Sequence, residues 1–421
     1  MSRSLRSLLL ACTVALALTA AACSGGGGVS QPPDGSATTT SAGSTKPSTT
    51  PATSATASKF KTIAGMPPVI DDNNIYSEQT AGKMSPAVKN AKPLVYVPNN
   101  RSASVTVIDP ATFKVLRTVP VGLDPQHVVP SWDLTRLFVT NNAEGRTDGS
   151  LTPIDPVTGD FGAPIPVDDP YNMYYTPDGK SAIVVAEAFK RLDLRDPVTF
   201  QVQRVIQTPE CGGINHADFS GDGSYVVFTC EFDASIVKID WRAGTVIGKI
   251  SFGKSQTESM PQDVRVGPDG QTFYVADMIK DGVFVIDGDS FTQKGFVKTG
   301  VGTHGIYPSR DGTKLYIANR GQNTIFGTPK GKGSVSVLDP KTNTVLATWT
   351  VPGGGSPDMG NLSPDGSQLW LSGRYDDEVY VFDTNTGALM QRIPVNQHAP
   401  HGLVWWPQPG RYSLGHTGNM R

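Results

Sequence analysis

The chain has 421 residues, of which 45 are Gly and 33 are Pro, and only 18% are charged. That composition argues against long helices and coiled coils, and for short strands joined by Gly/Pro turns or for disorder. With 36 Lys and Arg against 38 Asp and Glu the formal charge is -2, so no basic surface supports sequence-independent binding of nucleic acid.

Arg3 and Arg6 precede an apolar run from Leu8 to Leu18. The run is too short to cross a bilayer as a helix and fits the core of a signal peptide. It ends in Ala20-Ala21-Ala22-Cys23. This resembles a bacterial lipoprotein signal, in which the Cys becomes the first mature residue and carries the lipid. The place three before the Cys, where Leu is usual, holds Ala20. An ordinary secretory signal cleaved after an Ala-x-Ala is the alternative. The resemblance implies a signal peptide over 1–22, acylation of Cys23, export, and anchorage to the bacterial cell membrane by that lipid alone.

Residues 23–58 are nearly all Ser, Thr, Gly, Pro and Ala. Such a stretch buries no apolar surface, so a disordered tether is expected, with O-glycosylation allowed by its composition. Residues 59–92 form a lead-in to the repeats. Cys12 leaves with the signal and Cys23 is the lipid site. Cys211 and Cys230 flank a turn near Gly221-Asp222-Gly223. An antiparallel hairpin would bring them together at its open end, which predicts a disulfide in an oxidising compartment. Free buried thiols and a metal-ligand pair are the alternatives.

From residue 93 the chain repeats. A hairpin turn, often Pro-Asp-Gly, recurs around Asp133, Asp178, Asp222, Asp269, Asp311 and Asp365, with Pro409-Gly410 as a final echo. Pro presets one central angle, Asp tolerates the next and Gly supplies positive φ. An alternating strand follows each turn, such as Leu137-Phe138-Val139-Thr140-Asn141 or Leu315-Tyr316-Ile317-Ala318-Asn319. A third strand closes on Asp109, Asp155, Asp196, Asp240, Asp287, Asp339 and Asp383, and a fourth follows it. Four short strands per repeat, seven times, predict an all-β, seven-bladed propeller over 93–421. The repeats begin at a second strand, Leu94, and end with an inner-strand segment from His401 to Trp405. The two chain ends should therefore share the first blade and close the ring. Phe326 to Gly333 reads as an inserted loop.

The two quoted segments and the Pro-Asp-Gly turns resemble the YVTN family of bacterial seven-bladed propellers. That resemblance implies the fold and includes surface-associated proteins. It extends to haem-d1-type and lactonase-type propellers, which do different chemistry on one scaffold.

The position before each inner strand carries His127, Asn172, His216, Asp263, His304, Asp358 and His401 in blade order. Inner strands line the channel, so these side chains should form a ring near one mouth. Neutral imidazole with carboxylate suits a transition metal, with Cu, Zn or Fe as candidates. His398 and His416 could extend the set. The alternative is that these groups hydrogen-bond neighbouring blades. After the second strands come Glu187, Glu231 and Asp277, with Arg101, Arg320 and Arg374 in matching places. A mouth with an acidic and a basic arc is expected, able to take a small polar ligand or a protein. Tyr171, Tyr174 and Tyr175 could contribute to that rim or pack between blades.

Gly248 to Ser255 fits the GxxxxGK[ST] phosphate-loop pattern but occupies an outer strand with no helix after it, so it carries no phosphate chemistry. The expectation is a monomeric, exported propeller that serves as a binding or interaction module. The alternatives are a metal- or haem-binding accessory protein of the envelope and a lactonase-like hydrolase.

Overall fold

The computed structural model describes residues 58–421. The signal peptide, the lipid site at Cys23 and nearly all of the tether lie outside the described residues. Among the described residues no helix is long and apolar enough to cross a membrane.

Seven four-stranded antiparallel sheets make up the body. Blade 1 pairs Val404–Trp406 with Leu94–Asn99, followed by Ser104–Asp109 and Lys114–Pro120. Blades 2 to 7 begin with the inner strands Pro125–Pro130, Pro170–Tyr175, Ile214–Phe219, Pro261–Val266, Thr303–Pro308 and Pro357–Leu362. The closure expected from the sequence is present, with Leu94, Val95 and Tyr96 opposite Trp406, Trp405 and Val404. The two ends of the repeat region thus meet in one sheet, and every blade has its four strands.

The repeat motifs have local causes. In blade 4 the Asp222 carboxylate accepts from the Ser220 hydroxyl at 2.6 Å and from the Ser224 N–H at 2.9 Å, while Gly223 takes φ +75°. The same Ser/Thr–Asp pairing recurs at Asp133, Asp178, Asp311 and Asp365. The Asp ending each third strand caps the next turn. Asp109, Asp155, Asp196, Asp240, Asp339 and Asp383 each accept from the N–H two residues on, and Asp287 accepts from Ser290. These carboxylates shape turns.

The first three strands of a blade are buried almost throughout, whereas the fourth is largely exposed. Apolar clusters fill the gaps between neighbouring blades. Gly248 to Ser251 lie in the outer strand Thr245–Ser251, whereas Phe252 to Ser255 follow it in bends, and no helix comes next.

Two segments cover the face that carries the Asp-Gly turns. The lead-in crosses the turns of blades 4 and 5, with the Ile63 N–H donating to Asp222 O and the Ile75 N–H to Pro268 O. Tyr76 is buried there and its hydroxyl donates to Val266 O at 2.6 Å. The C-terminal tail turns back across the same face. Its Arg421 guanidinium meets the buried Asp218 carboxylate at 2.7 Å, and the His416 N–H donates to Met173 O.

Candidate functional site: a buried histidine ring under a bipolar mouth

Six inner strands start with a register shift against their neighbour, between Pro125 and His127, Pro170 and Asn172, Ile214 and Ala217, Pro261 and Val264, Thr303 and Ile306, and Pro357 and Gly360. A bulge re-aims the side chain it carries. Here it lies at or beside His127, Asn172, His216, Asp263, His304 and Asp358. His401 comes from the segment leading into the closing strand, and its N–H donates to Pro98 O. That segment passes so close to His127 that a Cβ on Gly402 would lie 2.1 Å from His127 Nδ1, so only glycine fits.

The structure brings the whole ring together, but deeper than the sequence suggested. His127, Asn172, His216, Asp263, His304, Asp358 and His401 are all at most 1% exposed, so they plug the channel instead of lining its mouth. His416 joins them from the C-terminal tail and is also fully buried. His398 stays outside, exposed at the rim and 2.8 Å from Asp377. The imidazoles pack against one another. Ring centroids are 4.8 Å apart for His127 and His401, 5.1 Å for His127 and His416, and 5.1 Å for His216 and His416.

Two groups of facing ligand atoms result. In His127, His216 and His416 they lie within 4.8 Å of one another, and the same holds for His304, Asp358 and His401. Asp358 stands 2.9 Å from His304 Nδ1 and 3.5 Å from His401 Nε2, and Arg320 meets it at 2.7 Å. Asp263 stands 3.4 Å from His416 Nε2 and 3.5 Å from Arg265. Of these contacts only the one from Arg320 is aligned as a hydrogen bond. His127 Nδ1 and Nε2, His216 Nε2, His304 Nδ1, His416 Nε2, Asp263 Oδ1 and Asp358 Oδ2 have no hydrogen-bond partner among the described residues. Elsewhere the ring is tied in: Asn172 Nδ2 lies 3.1 Å from His416 Nδ1, and His401 Nδ1 lies 3.0 Å from Gln126 O.

Burial depresses all five imidazoles, and neighbouring cations or imidazoles add to it. His304 is pushed down to about 4 by burial and Arg320, against the pull of Asp358. Burial alone would raise Asp263 and Asp358. Arg265 and His416 outweigh it at the first, and Arg320, His304 and His401 at the second, so both carboxyls stay ionised well below the usual range. At neutral pH the channel therefore holds neutral imidazoles and two carboxylates, the ionic forms that ligate metals.

Above this plug a cavity of about 370 Å³ opens, with His304 and His401 in its lining. Of the residues that directly follow the seven second strands, all but the one on blade 5 line it. In blade order the seven are Asn100, Asn142, Glu187, Glu231, Met278, Arg320 and Arg374. The acidic pair sits on blades 3 and 4 and the basic pair on blades 6 and 7. Two expected members are displaced by one register position. Asp277 still belongs to its strand. It accepts from the Ser259 hydroxyl and from the N–H groups of Ile279 and Lys280, and so shapes its own loop instead of facing the cavity. Arg101 lies further out, over the Phe326 ring at 4.7 Å. Tyr171, Tyr174 and Tyr175 are buried, and only Tyr171 reaches the cavity. The inserted loop contributes Ile325 and Phe326 to its wall.

The expected disulfide is present between Cys211 and Cys230, tying the approach to the inner strand of blade 4 to the end of its second strand. It lies next to Glu231 in sequence and braces the hairpin that carries His216 and Glu231.

The model of a family described as YNCE-like beta-propeller matches residues 52–408. The chain belongs to that family. No curated protein matches it. Among solved structures, a functionally unknown protein from Desulfotomaculum acetoxidans is 16% identical with a TM-score of 0.57, covering 74% of this chain and 98% of that one. The dihydro-heme d1 dehydrogenase NirN is 15% identical with a TM-score of 0.53, covering 80% and 82%. A candidate 6-phosphogluconolactonase from Bacteroides uniformis is 18% identical with a TM-score of 0.57, covering 74% and 98%. At these identities the likeness is one of fold.

Proposed function

We propose that this family member is an exported propeller, anchored by a lipid on Cys23, that binds a transition metal in its channel. The observation that carries the reading is the set of seven buried nitrogen and oxygen atoms on His127, His216, His304, His416, Asp263 and Asp358 that make no hydrogen bond among the described residues. Four of them face an imidazole or carboxylate atom at 2.9–3.5 Å without bonding it. Leaving one buried polar atom unpaired costs about 1–3 kcal/mol, and propellers have no general need to collect several in one place. A cation in each of the two groups of facing ligand atoms would answer most of them. Two ligands of one tetrahedral zinc-sized ion stand roughly 3.3 Å apart, given metal–nitrogen bonds of about 2.0 Å. The 3.4 Å and 3.5 Å gaps between His416 and Asp263 and between His401 and Asp358 are of that size. Imidazole-rich sites favour copper and zinc over earlier metals of the row.

A haem is the weaker alternative. The imidazoles are packed ring against ring and sealed from solvent, which leaves no slot for a macrocycle between them. A hydrolase acting in the mouth has less support again, since no nucleophile there is held by a base in the manner such chemistry needs.

The test is elemental analysis of the mature protein purified from its native envelope without chelators. One or two equivalents of copper, zinc or iron per chain are expected, with at least a halving in the His216→Ala/His304→Ala double variant. Metal at background level would end the reading.

A further inference from the structure

The cavity above the histidine plug has polar features that the metal reading leaves unused. On blade 7, the Arg374 guanidinium has no ion pair among the described residues, and its buried Nη1 has no hydrogen-bond partner among them. Arg320 beside it is committed to Asp358. Across the mouth, Glu187 carries a buried Oε1 with no partner, while Glu231 accepts from Asn215 Nδ2 at 2.7 Å. All four side chains line the same cavity, as does Tyr171. An unpaired cation and an unpaired carboxyl oxygen face one space from opposite arcs, and each would be paired by a ligand of the opposite polarity.

We propose that the cavity binds a small zwitterion of the amino-acid class, its carboxylate on Arg374 and its ammonium on the Glu187–Glu231 side. A free guanidinium is suited to a planar carboxylate, which it can grip with two parallel hydrogen bonds. Burial raises both carboxyls, and at Glu187 the neighbouring Glu231 charge adds to it, whereas Gln262, Arg320, Arg374 and Asn215 pull Glu231 partly back. An ammonium placed between the two glutamates relieves the repulsion. The volume of about 370 Å³ lies in the ordinary range for small-molecule sites, and Phe232 and Phe326 supply apolar wall. A plain anion would leave the acidic arc unanswered, and a plain amine would leave Arg374 unanswered. The inference does not depend on a metal below the cavity.

The experiment is titration calorimetry of the mature protein, before and after treatment with EDTA, against a panel of L-amino acids. Each is compared with its des-amino and decarboxylated counterparts, which are propionate and ethylamine for alanine. At least one amino acid is expected to bind saturably below 1 mM, with both counterparts weaker by about tenfold or more, a difference of about 1.4 kcal/mol. Arg374→Gln should lose that binding, and Glu231→Gln should narrow the gap between the amino acid and its des-amino analogue. Thermal melts of both variants report whether they are folded. Binding that survives EDTA supports the cavity independently of any channel metal. No saturable binding by any amino acid, equal binding of the des-amino acid, or unchanged affinity in a folded Arg374→Gln protein would each overturn the proposal.

Discussion

His127 is the side chain that most clearly separates a structural ring from a ligating one. It is fully buried and both of its ring nitrogens lack partners, so truncating it removes no hydrogen bond. We expect His127→Ala to remove most of the stabilisation conferred by added copper or zinc, about 2.7 kcal/mol at a metal concentration one hundred times the dissociation constant. Melting curves with and without metal check this, and an unchanged metal shift would contradict it. The ring also predicts a pH dependence. All five buried imidazoles have folded pKa values below the ordinary value near 6.5, so they stabilise the protein above that value. As pH falls, the unfolded chain takes up protons that the folded chain refuses, and stability is lost. Glu187, Glu231, Asp124, Asp169 and Asp277 act in the opposite sense because burial raises their folded values, but they start from ordinary values of about 4, below the window in which the unfolded imidazoles take up protons. The melting temperature of the metal-free protein should therefore fall steadily from pH 7 to pH 5. A flat or rising profile would contradict the burial of the ring.

The hairpin of blade 4 gathers several functional groups on one element. It carries His216, Glu231 and the Cys211–Cys230 bridge, which are 19 residues apart in sequence at the two cysteines. Closing a loop of that length is worth about 3 kcal/mol in the chain-entropy view. The Cys211→Ser/Cys230→Ser variant should lose about that much in urea unfolding, and a loss below 1 kcal/mol would show that the bridge is dispensable. The pairing was legible in the sequence because a symmetric hairpin turn fixes which residues meet at its open end. The ring positions were legible for a related reason: each occupies the same place in a repeat, and the bulge that turns its side chain inward recurs with the repeat. The mouth was less legible. A shift of one residue at the end of a strand exchanges Asp277 for Met278 and Arg101 for Asn100, and turn signals alone do not resolve one residue.

At the scale of the molecule, the ring is closed by a short strand. Trp406 is fully buried in a cluster with Tyr96, Val404 and Leu137. Trp406→Ala should cost about 3–5 kcal/mol. A chain ending before Val404 loses the inner strand of blade 1 and exposes the edge of Leu94–Asn99, an invitation to pair with other chains. Size-exclusion chromatography should show aggregation for that truncation, whereas a well-behaved monomer would mean that closure rests elsewhere. The tail beyond the strand does more than close the ring. It places His416 in the channel and buries Arg421 against Asp218, so it seals the end of the channel opposite the mouth.

The sequence by itself determined the blade count, the turn chemistry, the closure of blade 1, the cysteine pairing and the register of the channel residues. These follow from short-range periodicity, which a chain carries locally. Only the tertiary structure decided depth and company. It set the ring below the mouth, admitted His416 and excluded His398, buried the three tyrosines, and left Arg374 and Glu187 unpartnered across one cavity. Those outcomes depend on how seven blades and a returning tail converge on one axis, and no single repeat encodes that convergence.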